Sequence, residues 1–303
     1  MFRKKSTVTK FKFILQDDSP PIKYVPFFDM EGNEISCGFV NYDKERVDEV
    51  VPEYSFVNNK EIQATKLRVD KRTVPAKLLN KEFEKALKQL IKDRTTVDEY
   101  GEVDEYIPSK DAKKELKAAI KNRLLRETNA VPNYYDVILC SDLGYGYISS
   151  TSKKDIECLM NCLGGIGELY PFIDDIDDLY EDDFSYFVED IYKQDKDYDI
   201  QIEESAKLKD SSDDGNVSFT NSLYQEQVDK LLELGYIFIE ADLSFKDADV
   251  TFKMKNWENI FAFEDEAMEV EEEEKQEEIS QRWIALESLY KVLGENIKKF
   301  LEN

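Results

Sequence analysis

Residues 60–94 read KEIQATKLRVDKRTVPAKLLNKEFEKALKQLIKDR, and the spacing of their apolar residues changes at Pro75. From Lys60 to Val69 apolar and polar residues alternate, which is the period of a strand. Proline suits a first helical turn, because its ring fixes φ and the N–H it lacks has no partner there. Beyond it Leu79, Phe83, Ala86, Leu87 and Leu90 recur at helical spacing and are expected to be buried. Lys77, Lys81, Lys85, Lys88 and Lys92 follow at steps of four, four, three and four, forming one solvent-facing stripe. A strand that hands over to an amphipathic helix makes the chain mixed α/β (α+β), with several small sheets flanked by helices.

Working outward, TVTKFKFILQ (7–16) and ISCGFV (35–40) read as strands, and Asn58-Asn59 as a hairpin turn leading into 60–69. TTVDEYGEVDEYIP (95–108) is a connector. A second helix starts near Ser109, with Leu116, Ala119, Ile120 and Leu124 as its apolar face and Lys110, Lys114, Lys117 and Lys121 as its stripe. YYDVILC (134–140) and YGYISS (145–150) form a hairpin through Asp142, Leu143 and Gly144. A helix from Lys153 to Leu163 then stops at Gly164-Gly165. DDIDDLYEDDFSYFVEDIY (174–192) mixes acids and aromatics at helical spacing, and KLKDSSDDGNVS (207–218) is the most loop-like stretch. YIFIEADL, DVTFKMK and ENIFAF suggest a small antiparallel sheet, Glu269–Glu278 is an acidic run, and the last helix spans Ser280–Leu301. That helix buries Trp283, Leu286, Leu289, Leu293, Ile297 and Phe300. Three regions result: 1–172 with the lysine-rich helices, 173–222 acidic and helical with the loop, and 223–303 with the small sheet and final helix.

The charge is divided unevenly. The formal net is -25, yet residues 1–150 carry 26 Lys+Arg against 25 Asp+Glu, and all the excess acid lies beyond them. Between Lys66 and Arg94 ten basic residues meet only four acids. An acidic total repels a polyanion at long range but leaves room for a local basic surface that binds one. The candidate phosphate-contacting set is Lys66, Arg68, Lys71, Arg72, Lys77, Lys81, Lys85, Lys88 and Lys92, with Lys110, Lys114, Lys117 and Lys121 on the second helix. Lysine suits contact with the backbone, whereas arginine dominates the reading of base edges.

Several chemistries are excluded or unsupported. With no histidine, Ser-His-Asp and Cys-His nucleophiles and imidazole-ligated zinc are impossible. Cys158 and Cys162 share a helix face but lack further ligands, and four cysteines in 303 residues fit a reducing compartment. Gly164-Gly165-Ile166-Gly167 follows a helix and has no GK[ST], unlike a phosphate-cradling loop. The carboxylates Asp174, Asp175, Asp177, Asp178, Glu181, Asp182 and Asp183 do not match an EF-hand loop. Together with Glu271, Glu272, Glu273 and Glu274 they form an acidic surface, with protein-partner binding as its functional alternative. No stretch approaches about 18 consecutive apolar residues, and the N-terminus lacks a signal-peptide core. The expectation is a cytoplasmic, non-enzymatic protein without cofactor, metal or membrane contact.

The succession VPAKLLNKEFEKALKQLIK (74–92), KKELKAAIKNRLL (113–125) and YYDVILCSDLGYGYISSTSKKDIECLMNCLGGIGELYPF (134–172) resembles the bacterial recombination-associated protein RdgC family. CGFV (37–40) and RWIALESLYKVLGENI (282–297) are similar to its glycine-aromatic-valine element and closing helix. The resemblance implies a ring-shaped homodimer through which duplex DNA passes, non-specific binding, restraint of the recombinase RecA and nucleoid association. The helix lysines would then be candidates for the DNA-facing surface. The acidic second half departs from that pattern. It keeps open a DNA mimic or phage-type anti-defence protein that binds and inhibits a basic host protein.

Overall fold

A computed structural model describes residues 5–15, 22–30, 33–97, 100, 103–104, 106–164, 166–171, 183–194, 196–212, 215–247, 250–255, 259–265 and 275–302. The elements in chain order are β1 (Lys5–Leu15), β2 (Lys23–Tyr24), β3 (Ile35–Val40), β4 (Glu53–Val57), β5 (Lys60–Lys71), α1 (Ala76–Arg94), β6 (Thr96–Val97), β7 (Val103–Asp104), α2 (Lys110–Glu127), β8 (Val131–Cys140) and β9 (Tyr145–Ile148). There follow α3 (Lys153–Cys162), β10 (Leu163–Gly164), β11 (Ile166–Pro171), α4 (Asp183–Lys193), β12 (Ile200–Asp210), β13 (Asn216–Phe219), α5 (Gln225–Glu233), β14 (Tyr236–Phe245), β15 (Val250–Met254), β16 (Asn259–Asp265) and α6 (Lys275–Leu301). The protein is mixed α/β.

Twelve strands form one sheet in the order β13-β12-β14-β15-β16-β1-β9-β8-β5-β3, with β11 also on β1 and β4 on β5. The chain divides into two units, and the division falls inside β3, β5 and β8. One unit takes Met1–Pro26, Phe39–Leu67 and Tyr135–Asn303, and the other Phe27–Gly38 and Arg68–Tyr134.

In the larger unit β1 is the strand that ties distant segments together. It pairs antiparallel with β16 (Lys5↔Glu264), β9 (Thr9↔Ile148) and β11 (Phe11↔Pro171). The segments 236–265 therefore belong to the same sheet as the N-terminal strand instead of forming a small sheet of their own. The stretch 207–218 also differs from its loop-like reading: β12 and β13 make a hairpin with Leu208 opposite Val217. Only one strand face there needs to be apolar, and Ala206 and Leu208 supply it, both buried. The helix α5 was not foreseen either.

The core of this unit lies under α4 and α6. Ile279, Trp283, Leu286, Leu289, Tyr290, Leu293 and Ile297 recur at helical spacing on α6 and are all buried, as are Phe184, Phe187, Val188 and Ile191 on α4. Phe300, expected inside, is half-buried and closes on Phe187 with ring centroids 5.6 Å apart. Burying a side chain of this size contributes roughly 1.5–3 kcal/mol, so α6 fixes the unit more than any local propensity does.

Local turn chemistry follows the sequence closely. Asn58 and Asn59 have φ of 50° and 64°, and Val57 faces Lys60; this is the two-residue hairpin that tolerates positive φ at both central positions. Gly144 turns the β8–β9 hairpin at φ 70°. The end of α3 is different from its expectation: Leu163 is extended and Gly164 continues into β10, which pairs with β2.

Gly146 on β9 sits between Leu139 of β8 and Phe11 of β1. A Cβ there would lie 2.5 Å from the Ile138 carbonyl oxygen and 2.7 Å from Leu139 Cβ. Because backbone is one of the obstacles, Gly146→Ala is expected to cost about 3 kcal/mol, at the upper end of ordinary overpacking. Urea unfolding measures it; a loss below about 0.5 kcal/mol would contradict this strand spacing.

In the smaller unit α1 and α2 pack on each other. Arg123 binds Glu82 at 3.0 Å, and the Lys117 ammonium stands 5.9 Å from the Phe83 ring centroid. Ile120, Leu124 and Leu125 of α2 are buried, whereas α1 has no buried residue. Leu79, Phe83, Ala86, Leu87 and Leu90 are half-buried and Ala119 is exposed, both corrections to the expected faces. Within this unit, a helix packed against one other helix has only part of its apolar stripe covered.

Candidate nucleic-acid interface

The stripe on α1 is built from the start of the helix onward. Pro75 stands at the N-cap with φ -58°, one position before the first turn where it was expected, and its carbonyl accepts the Leu79 N–H at 3.0 Å. The helix closes at Thr95, whose hydroxyl donates to the Ile91 carbonyl at 2.7 Å. Between these ends Lys77, Lys81, Lys85, Lys88 and Lys92 are all exposed. Among the described residues no ion pair or hydrogen bond engages their ammonium groups. Glu82, the acid nearest in sequence to Lys81, is bound by Arg123 instead. The fifteen-residue interval from Lys77 to Lys92 spans about 22 Å at 1.5 Å per residue, or roughly six base steps of duplex at 3.4 Å each.

On α2 the second stripe is divided. Ser109 caps the helix by accepting the Ala112 N–H at 3.1 Å. Lys110 and Lys114 are exposed, and so is Lys113, which the stripe reading missed because it lies off the four-residue repeat. Lys117 lies against Phe83 and Lys121 is ion-paired with Glu34, so both are partly committed within the unit. Across α1 and α2 there are 13 basic against 6 acidic residues, while the larger unit holds 25 against 51. The positive excess is thus concentrated on this helical pair.

The basic residues along β5 and just after it are a correction. Lys66 is 5% exposed, paired with Asp136, and its ammonium lies 4.9 Å from the Tyr42 ring centroid. Arg68 grips Asp70 with two bonds of 2.6 and 2.7 Å and covers the Phe27 ring. That bidentate bond to Asp70 raises the guanidinium pKa above its ordinary value. Arg72 is buried and paired with Asp29 at 2.7 Å. These three cations serve internal ion pairs and are withdrawn from the phosphate-contacting set. Lys71 is half-buried. β5 is buried on both faces; Arg68 is neutralised by Asp70 two residues along the strand, whereas Lys66 and Arg72 are neutralised by acids 70 and 43 positions away that no local pattern reveals.

Of the acidic candidates, Asp183 begins α4 and is half-buried. Asp174, Asp175, Asp177, Asp178, Glu181, Asp182 and Glu271, Glu272, Glu273 and Glu274 lie outside the described residues. Cys158 and Cys162 are both buried on α3. Among the described residues no group of three or more His, Cys, Asp or Glu is placed to hold a metal ion, and no helix is long and apolar enough to cross a membrane.

Compared with protein-family models and with curated proteins, the chain finds no match.

Proposed function

We propose that the chain binds duplex DNA without sequence preference, through the five α1 lysines. The observation that carries this reading is the row of five exposed ammonium groups on one helix face, unpaired among the described residues, in a chain whose net charge is -25. Solvation alone does not need them in register, and in so acidic a chain carboxylate partners are abundant. Lysine contacts phosphate as a point charge, so such a surface reads the backbone and ignores base identity. The action is occlusion: a protein lying along the backbone blocks filament assembly and strand exchange without catalysis or cofactor. In line with the RdgC resemblance, the working form is a homodimer that modulates recombination.

The test is the affinity for a labelled random-sequence duplex at about 50 and 200 mM salt, with the mass of the free and bound protein measured alongside. Five phosphate contacts give a log–log salt slope near -4.5, so affinity should fall about 500-fold over that range. No binding at 50 mM overturns the proposal and redirects the search to a basic protein partner for the acidic unit.

A further inference from the structure

In the larger unit a cavity of about 380 Å³ opens between the β4–β5 turn, the β8–β9 hairpin and α6. Its size lies at the lower end of small-molecule sites. Two charged groups line it, Glu287 from α6 and Lys60 from β5. Glu287 is held rigidly from beneath. Its carboxylate accepts the Tyr145 hydroxyl at 2.8 Å and the Tyr147 hydroxyl, and the Lys10 ammonium stands 3.9 Å away. Tyr147 is fully buried, and burial together with Glu287 pushes its pKa well up, so the phenol keeps the proton it donates. Lys10 is 1% exposed, yet the Glu287 side chain remains one-third exposed. A carboxylate has about four lone-pair sites, and the anchors leave room for one more donor from the cavity.

Lys60 is half-buried, and among the described residues it makes no ion pair or hydrogen bond through its ammonium. The two charges therefore share a cavity without neutralising each other. The rest of the lining is mostly apolar, with Val57, Leu143, Ile284 and the nearly buried Trp283, joined by Asn58 and Tyr145. A simple cation would meet Lys60, and a simple anion would meet Glu287. A stacked base is disfavoured as well, because the Tyr145 ring is already covered by Trp283, stacked at 5.7 Å, and by the Lys10 ammonium at 4.2 Å.

We propose that this cavity binds a small zwitterion with an apolar body, in chemical class an apolar α-amino acid, its ammonium on Glu287 and its carboxylate on Lys60. The site is independent of DNA and of the α1 stripe. The experiment follows the melting temperature and calorimetric binding of the full chain, without DNA, using L-leucine and L-phenylalanine as probes. Isoamylamine and phenethylamine lack the carboxylate, and 4-methylpentanoate and 3-phenylpropionate lack the ammonium. A saturable rise is expected with at least one amino acid, with at least tenfold weaker binding of its two truncated analogues. Lys60→Ala should fold normally and lose at least tenfold in affinity; Glu287→Gln should also lose binding, but it loosens the tyrosine anchors, so the lysine variant decides. No response to either amino acid, equal binding of an amine, or unchanged affinity in Lys60→Ala would each overturn the assignment.

Discussion

Replacing Lys77, Lys81, Lys85 and Lys88 together by glutamate should reduce the salt slope of duplex binding from about -4.5 to about -1, because each lost phosphate contact removes about 0.9 from it. At about 50 mM salt the affinity should fall by more than 100-fold, for every duplex sequence alike. The folded state should survive the change. All four side chains are exposed and none is in an ion pair among the described residues, and surface substitutions of this kind usually move stability by less than about 0.5 kcal/mol each. Anisotropy titrations and thermal unfolding on the same samples check both halves of the expectation. Unchanged binding by a folded variant would remove α1 from the interface. A partial loss that needs Lys110, Lys113 and Lys114 for completion would extend the interface to α2.

Lys66→Met should behave in the opposite way. It is expected to lower stability by about 3–5 kcal/mol, the usual result of leaving a buried charge without its partner, while the salt slope of the remaining folded protein stays as in the wild type. Asp136 is 8% exposed, so its carboxylate cannot simply rehydrate in place. The double variant Lys66→Met/Asp136→Leu should recover most of the loss, since a buried pair is often replaced by apolar residues at little cost. Urea unfolding of the wild type, both single variants and the double variant forms a cycle that isolates the pair. A stable Lys66→Met with weakened duplex binding would return Lys66 to the interface and contradict its place in the interior.

These two lysine changes show where local pattern was sufficient and where it was not. Lys77–Lys92 read as an exposed stripe because helical periodicity places all five on one side. The Asn58-Asn59 turn, the β8–β9 hairpin and the buried face of α6 were legible for the same reason: each is decided by residues within a turn or two of one another. Lys66 on β5 was misread. Alternation specifies which residues share a face, but not whether that face meets water, and both faces of β5 are buried by segments remote in sequence.

The hairpin of β12 and β13 was mistaken for a linker for a related reason. KLKDSSDDGNVS carries the polar composition of a loop, yet a strand needs only one apolar face. Its pairing is fixed by β14 through Leu208↔Phe238 and Lys209↔Ile237, and that neighbour begins beyond α5. The half-covered face of α1 is another case: amphipathicity announces a stripe that can be buried, and only the packing partner determines how much of it is.

The sequence by itself determined the local elements of this protein, its mixed α/β class, the lysine register on α1 and the concentration of acid in its second half. These follow from backbone periodicity, turn conformations and charge counts, which need no knowledge of the rest of the chain. Tertiary structure alone decided that β1 joins 259–265, 145–148 and 166–171 in one sheet, that Lys66 and Arg72 are buried in ion pairs, and that Glu287 and Lys60 face one cavity. Most of these outcomes depend on contacts between residues tens to hundreds of positions apart, where burial and Coulomb attraction act across space and leave no period in the sequence.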